Sequence, residues 1–123
     1  MQTSPDKETQ RKLRGERIRW ARKLVEPNRR EFARKLGADP STIRNIENGS
    51  RNASVELLER ICHSLRISLD YVSKGRLTGV DPELAALLAR DHPELLPERL
   101  TYSGMMSMGS QASTFRRPMT HAF

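Results

Sequence analysis

Cysteine is nearly missing from this chain: Cys62 stands alone in 123 residues. With no second thiol, an intrachain disulfide is excluded, and so is a thiolate metal cluster within one chain. Histidine is sparse as well, and His63, His92 and His121 lie too far apart in sequence to show metal-ligand spacing. No apolar run is long enough to span a bilayer, and the opening MQTSPDKETQRKLRGER lacks a signal peptide's apolar core. A soluble, cytoplasmic protein with no membrane contact is therefore expected. There is no glycine-rich phosphate loop, no pair of carboxylates in an apolar setting and no evident nucleophile–base arrangement. Neither catalysis nor a cofactor or metal is expected. No repeat at a solenoid spacing is visible, and the length suits one modest core with an appendage.

Acidic residues are scarce in one stretch in particular. Residues 11–51 hold thirteen Lys and Arg against five acids (Glu16, Glu26, Glu31, Asp39 and Glu47), whereas residues 52–123 hold eight of each. The net charge of +7 therefore belongs to the N-terminal part. A polyanion-binding surface requires such a field, although a solvated basic face would look the same by composition alone.

What the chain does have is helical periodicity with clear punctuation. Over residues 11–25, Ile18, Ala21 and Val25 recur at helical spacing, Leu13, Trp20 and Leu24 widen the stripe, and Pro27 stops the helix. Residues 1–10 carry too few apolar groups to offset the entropy of ordering them, and a flexible arm is expected there. Asn28 can cap a second helix whose buried face is Phe32, Ala33 and Leu36, ended by Gly37. Asp39 and Pro40 repeat the start signal, with a carboxylate cap and a proline where no amide bond is lost; this third helix runs to about Asn48, and Gly49 closes it. Ser54 opens a fourth, with Val55, Leu58, Ile61, Cys62 and Leu65 as its apolar positions. Ser68 opens a short fifth, with Leu69 and Val72, ended by Gly75. DPELAALLARD, residues 81–91, reads as an acidic amphipathic helix with Leu84, Leu87 and Leu88 on one side, and from Thr101 the chain is Ser-, Gly- and Met-rich with no usable period. Cys62 reads as a buried structural thiol, Trp20 as a core-edge residue and His63 as a solvated one.

The second and third helices, joined at Gly37, fit a helix-turn-helix, in which the second of the pair lies in the major groove. Ile43 and Ile46 point to the core, and at about 100° per residue Pro40, Ser41, Arg44, Asn45 and Asn48 gather on the opposite side. That side is polar and carries no acid. Arg can grip guanine, Asn can pair with adenine, and Ser can reach bases or phosphates. Glu47 falls on the buried side and needs a partner, for which Arg22 is the candidate.

NRREFARKLGADPSTIRNIENG, residues 28–49, followed by SVELLERICHSLRISLDYV, residues 54–72, resembles the Cro/repressor-type helix-turn-helix proteins, the XRE family, which includes the lambdoid phage repressors. The resemblance spans residues 14–75 without a gap. It implies a compact five-helix domain that binds operator DNA as a dimer, and it places the family's arginine–glutamate pair on Arg22 and Glu47. Arg29 stands where the family usually has a Gln that contacts a phosphate and braces a base-reading side chain. Pro40 departs from the polar reader often found at its position.

The expected fold is thus all-α. It comprises a flexible arm (1–10), a five-helix helix-turn-helix domain (11–75), an acidic helical extension (76–100) and a disordered tail (101–123). Ser41, Arg44 and Asn45 are the expected base readers; Asn28, Arg29, Thr42, Asn48 and Arg51 are the expected backbone contacts. The expected function is a sequence-specific transcriptional regulator, most simply a repressor, binding double-stranded DNA at a palindromic operator as a homodimer. The dimer contact is expected on Leu69, Val72, Leu84, Leu87 and Leu88. The alternative is an antitoxin that autoregulates its operon and binds a protein partner through residues 101–123, where Met105, Met106, Met108, Phe115, Met119 and Phe123 offer adaptable apolar groups.

Overall fold

The computed structural model describes residues 6–97. Among them the architecture is all-helical: α1 (Lys7–Val25), α2 (Arg29–Leu36), α3 (Pro40–Glu47), α4 (Val55–Leu65), α5 (Leu69–Lys74), α6 (Pro82–Asp91) and a 3₁₀ turn (Pro93–Leu95). The predicted tail, residues 101–123, and the partner contact assigned to it lie outside the described residues, as do residues 1–5.

Side-chain caps set most of the boundaries. The Asn28 side chain accepts from the Glu31 amide at 3.0 Å, Ser54 from Leu57 at 3.1 Å, Ser68 from Tyr71 at 3.0 Å and Asp81 from Leu84 at 3.2 Å. Each satisfies an amide that the helix itself leaves unbonded. Gly37 and Gly75 end α2 and α5 in the left-handed conformation, at φ 71° and 79°, where a Cβ is disfavoured. Arg66 ends α4 in the same conformation at φ 62° without being glycine.

Helix α1 is the spine, packing against α3, α4, α5, α6 and the 3₁₀ turn. Its contact with α3 is backbone-close: a Cβ on Gly15 would sit 2.4 Å from the Glu47 carbonyl oxygen. Ile18, Ala21, Phe32, Ala33, Ile43, Ile46, Ile61, Leu65, Tyr71 and Val72 form the core with Leu84, Ala85, Leu88 and Ala89 of α6. The segment beyond Gly75 therefore shares the core of the helix-turn-helix instead of standing apart from it. Buried Arg17 fixes it further, donating to the Leu95 carbonyl at 2.9 Å and the Val72 carbonyl at 3.1 Å. Tyr71 beside it is fully buried, and burial drives its phenol pKa up.

Several expectations need correction. Helix α1 begins at Lys7, not at residue 11: the Asp6 carboxylate accepts from the Thr9 amide at 2.8 Å, and extending a formed helix by a turn costs far less than starting one. Asp39 makes no side-chain cap; its backbone carbonyl instead accepts from Thr42 and Ile43. Val55 is 69% exposed because it begins α4 ahead of the packed turns, and Leu57 takes the buried place. Leu69 is 45% exposed for the same reason, while Tyr71 is buried. The surface expected for a dimer contact is affected too. Val72, Leu84, Leu87 and Leu88 are all buried within the chain, so packing against α1 has already used the side chains expected to meet a second protomer.

Candidate nucleic-acid interface

Helix α3 lies against α1 and α2 and buries Ile43, Ile46 and Glu47. The rest of its surface faces outward. Ser41, Arg44 and Asn48 are exposed, and Thr42 and Asn45 are half-exposed. None of the exposed residues on α3 is an acid. The Arg44 guanidinium has no hydrogen-bond or ion-pair partner among the described residues, which leaves its planar fork of donors available to an external acceptor.

The ends of this surface are braced from inside. Glu47 and Arg22 are each 2% exposed, with Arg22 Nε 2.5 Å from Glu47 Oε2 and Nη2 3.3 Å from Oε1. Arg22 Nη1 donates to the carbonyls of Glu26 and Pro27, at 3.2 and 2.8 Å. One guanidinium thus ties the end of α1, the turn after it and the end of α3 together, and both buried charges are compensated. A second cation joins them: Arg29 Nε lies 3.2 Å from Glu47 Oε1, with its side chain 35% exposed. The first residue of α2 is therefore held to the last residue of α3 by a buried carboxylate, with part of its guanidinium still in solvent.

The remaining expected site residues lie at the margins. Asn28 spends its side-chain oxygen on the α2 cap, which leaves its amide NH₂ as a donor. Asn48 Oδ1 accepts from both the amide and the hydroxyl of Ser50, at 3.0 and 2.8 Å, and so folds the loop after α3. Arg51 sits in that loop, exposed, and its side chain has no partner among the described residues. The structure thus brings Ser41, Thr42, Arg44 and Asn45 onto one helix with Asn48 as its C-cap, Asn28 and Arg29 at the start of its neighbour and Arg51 just beyond its end.

Two supporting features escape sequence reasoning. Gly15, in the middle of α1, permits the close approach to α3; its only signal in the sequence is a glycine inside an otherwise helical pattern. Arg11 Nε donates to the Gly49 carbonyl at 2.8 Å, pinning the turn after α3 from a helix far away in sequence. Cys62 is buried, and burial raises its thiol pKa to about 11. It is held as the unreactive thiol. Trp20 stacks on His92, with ring centroids 4.2 Å apart, and donates to Glu16, joining α1 to the end of α6. His63 is exposed on α4.

No group of His, Cys, Asp and Glu among the described residues can hold a metal ion, and no helix there is long and apolar enough to cross a membrane. A protein-family model described as helix-turn-helix matches residues 18–72, the span from the middle of α1 to α5. No curated protein and no solved structure matches the chain. The matched span contains the paired helices α2 and α3, the glycine turn between them and the core that carries both. Residues 18–72 are accordingly a helix-turn-helix domain of the Cro/repressor type, the XRE family of DNA-binding transcription regulators.

Proposed function

We propose that the chain is a sequence-specific transcriptional repressor that binds a palindromic operator as a homodimer, with α3 in the major groove. The observation that carries this reading is the outward face of α3: it is free of acids, and its one guanidinium, Arg44, has no partner among the described residues. Such a face has little to gain from water that it would not regain from base edges, and nothing on it repels the duplex. In this reading Ser41, Arg44 and Asn45 meet bases. Asn28, Arg29, Thr42, Asn48 and Arg51 meet the sugar–phosphate backbone on either side.

Arg29 has a distinct part. A lone surface arginine loses side-chain entropy when it grips a phosphate. Arg29 is already fixed by Glu47, so less of that freedom remains to be lost. The buried Glu47 thereby serves both the fold and the backbone grip.

Dimerisation follows from the presence of one recognition helix per chain and from the spacing of successive major grooves, about 34 Å. With Val72 and the α6 leucines buried, Val55 and Leu69 are the large apolar side chains left exposed for the contact among the described residues. The antitoxin reading rests on residues 101–123, outside the described part. The test is selection of bound oligonucleotides from a random pool by the full chain, followed by sequencing. An inverted repeat with half-site centres about 10 base pairs apart, or a multiple of that, is expected. Enrichment of single half-sites at arbitrary spacing would remove the homodimer, and no enrichment would remove sequence-specific binding.

A further inference from the structure

A half-open cleft of about 290 Å³ lies between α1, the loop after α3, α4 and α5, apart from the exposed face of α3. Its floor is apolar: Ile18, Ile46, Leu58 and Val72 line it, the first two and the last buried in the core. Its rim is cationic, with Arg11, Arg14 and Arg51 all lining it and Asn52 and Ser73 adding neutral hydrogen-bonding groups. Among the described residues no carboxylate lines it.

The three guanidiniums are poorly compensated. Arg11 uses Nε on the Gly49 carbonyl, Arg14 reaches only the Asn52 amide oxygen at 3.4 Å, and Arg51 has no side-chain partner among the described residues. None of the three is in an ion pair there. The crowding reaches the core: burial above all lowers the pKa of Arg17, Tyr71 works against it, and the nearby Arg14 charge lowers it further. Gathering like charges over an apolar floor costs stability unless something negative enters. The volume is close to the lower end of small-molecule sites, about 300 Å³. Apolar floor and cationic rim together ask for a ligand with both properties.

We infer that this cleft binds a small amphipathic anion, an organic phosphate or carboxylate whose compact apolar body sits on Ile18, Ile46, Leu58 and Val72 while its charge is held by Arg11, Arg14 and Arg51. A bare phosphate fills the rim and leaves the floor wet; a neutral aromatic fills the floor and leaves the rim uncompensated. Arg51 belongs to the cleft and, in the function proposed above, to the DNA backbone contact. The ligand therefore acts as an effector, because its negative charge neutralises the Arg51 charge that the duplex phosphate would otherwise meet. This last step rests on the proposed function, whereas the site itself does not.

The test uses phenyl phosphate on the full chain without DNA, followed by NMR of the arginine Nε–H groups and the Ile, Leu and Val methyls. Saturable shifts are expected at Arg11, Arg14 and Arg51 together with Ile18, Ile46, Leu58 and Val72. Inorganic phosphate and benzyl alcohol should each bind at least about tenfold more weakly, and Arg14→Gln should lower phenyl phosphate affinity by a similar factor while keeping the methyl spectrum of the folded chain; a tenfold change is about 1.4 kcal/mol. Equal binding of inorganic and phenyl phosphate overturns the proposal, as do methyls that do not move or an Arg14→Gln chain that retains full affinity. The effector role is read separately, by operator binding with and without saturating phenyl phosphate. Affinity should fall for the wild type, and Arg14→Gln should need about tenfold more phenyl phosphate for the same fall. An unchanged wild-type affinity overturns the effector role, whereas failure to bind any operator is a failure of the DNA-binding reading alone.

Discussion

Glu47 accepts from two arginines on two different helices, and its removal from water is tolerable only because both are in place. Arg22 is the more demanding partner, since it is equally buried and its remaining donors go to the carbonyls of Glu26 and Pro27. Arg22→Ala leaves a buried carboxylate facing only the half-exposed Arg29, and breaking a buried pair in this way costs about 3–5 kcal/mol. Glu47→Ala strands a buried guanidinium and should be similarly harmful. Replacing both removes the stranded charge, so the double variant should lose less than the two single losses added together. Urea unfolding of the four chains measures this directly. Additive losses would mean that the short distance between Arg22 and Glu47 carries no coupling.

At the scale of elements, α6 and the turn after it behave as part of the domain. Leu84, Leu87, Leu88, Leu95 and Leu96 are buried, Arg17 bonds the Leu95 carbonyl, and the left-handed Gly75 leaves no room for a Cβ against that same carbonyl, which would lie 2.4 Å away. Burying a large aliphatic side chain is worth about 1.5–3 kcal/mol, so this segment contributes on the scale of a small domain's whole stability, about 5–15 kcal/mol. A chain ending at Gly75 should therefore melt far below the full chain, or fail to fold, as followed by helical circular dichroism. Emission from Trp20, which loses its His92 neighbour, should shift to the red. Equal melting temperatures would show that α6 rests on the domain without supporting it.

How much of this was legible in the sequence follows from range. The caps at Asn28, Ser54 and Ser68 and the stops at Gly37 and Gly75 are local hydrogen-bond and φ requirements, and the sequence displays them. The outward set on α3 follows from helical period alone, and so does the inward place of Glu47. The exchange of Val55 for Leu57 was not legible, because period gives a helix's faces but not which first-turn residue overhangs its end. Nor was the docking of α6 on α1, the Arg17 bond to Leu95 or the second cation on Glu47. Each is a contact between elements distant in sequence, and no pattern within either element encodes it.

For the whole molecule, the charge asymmetry and the placement of cations make two different kinds of DNA contact separable by experiment. Residues 11–51 carry most of the positive field, and any cation near the duplex contributes to binding by releasing counterions, whatever the sequence. Base reading adds a term that only some cations supply. Arg44 stands exposed on α3 without a partner among the described residues, so as a reader it grips a base edge. Arg29 is tethered to Glu47, and in the proposed complex it meets phosphate. Arg44→Ala should then cost about 1–3 kcal/mol on the selected site and relax selectivity at one base pair per half-site, a G·C by the geometry of a bidentate guanidinium. Arg29→Ala should weaken all sequences about equally and lower the salt slope by about one unit per protomer; Glu47 stays paired with Arg22 in that variant, so the fold survives the change. The measurement is binding of the wild type and both variants to the selected site and its single-base variants across a salt series. If Arg44→Ala keeps the full sequence preference while only the salt slope falls, Arg44 is a phosphate contact, and reading must rest on Ser41 and Asn45.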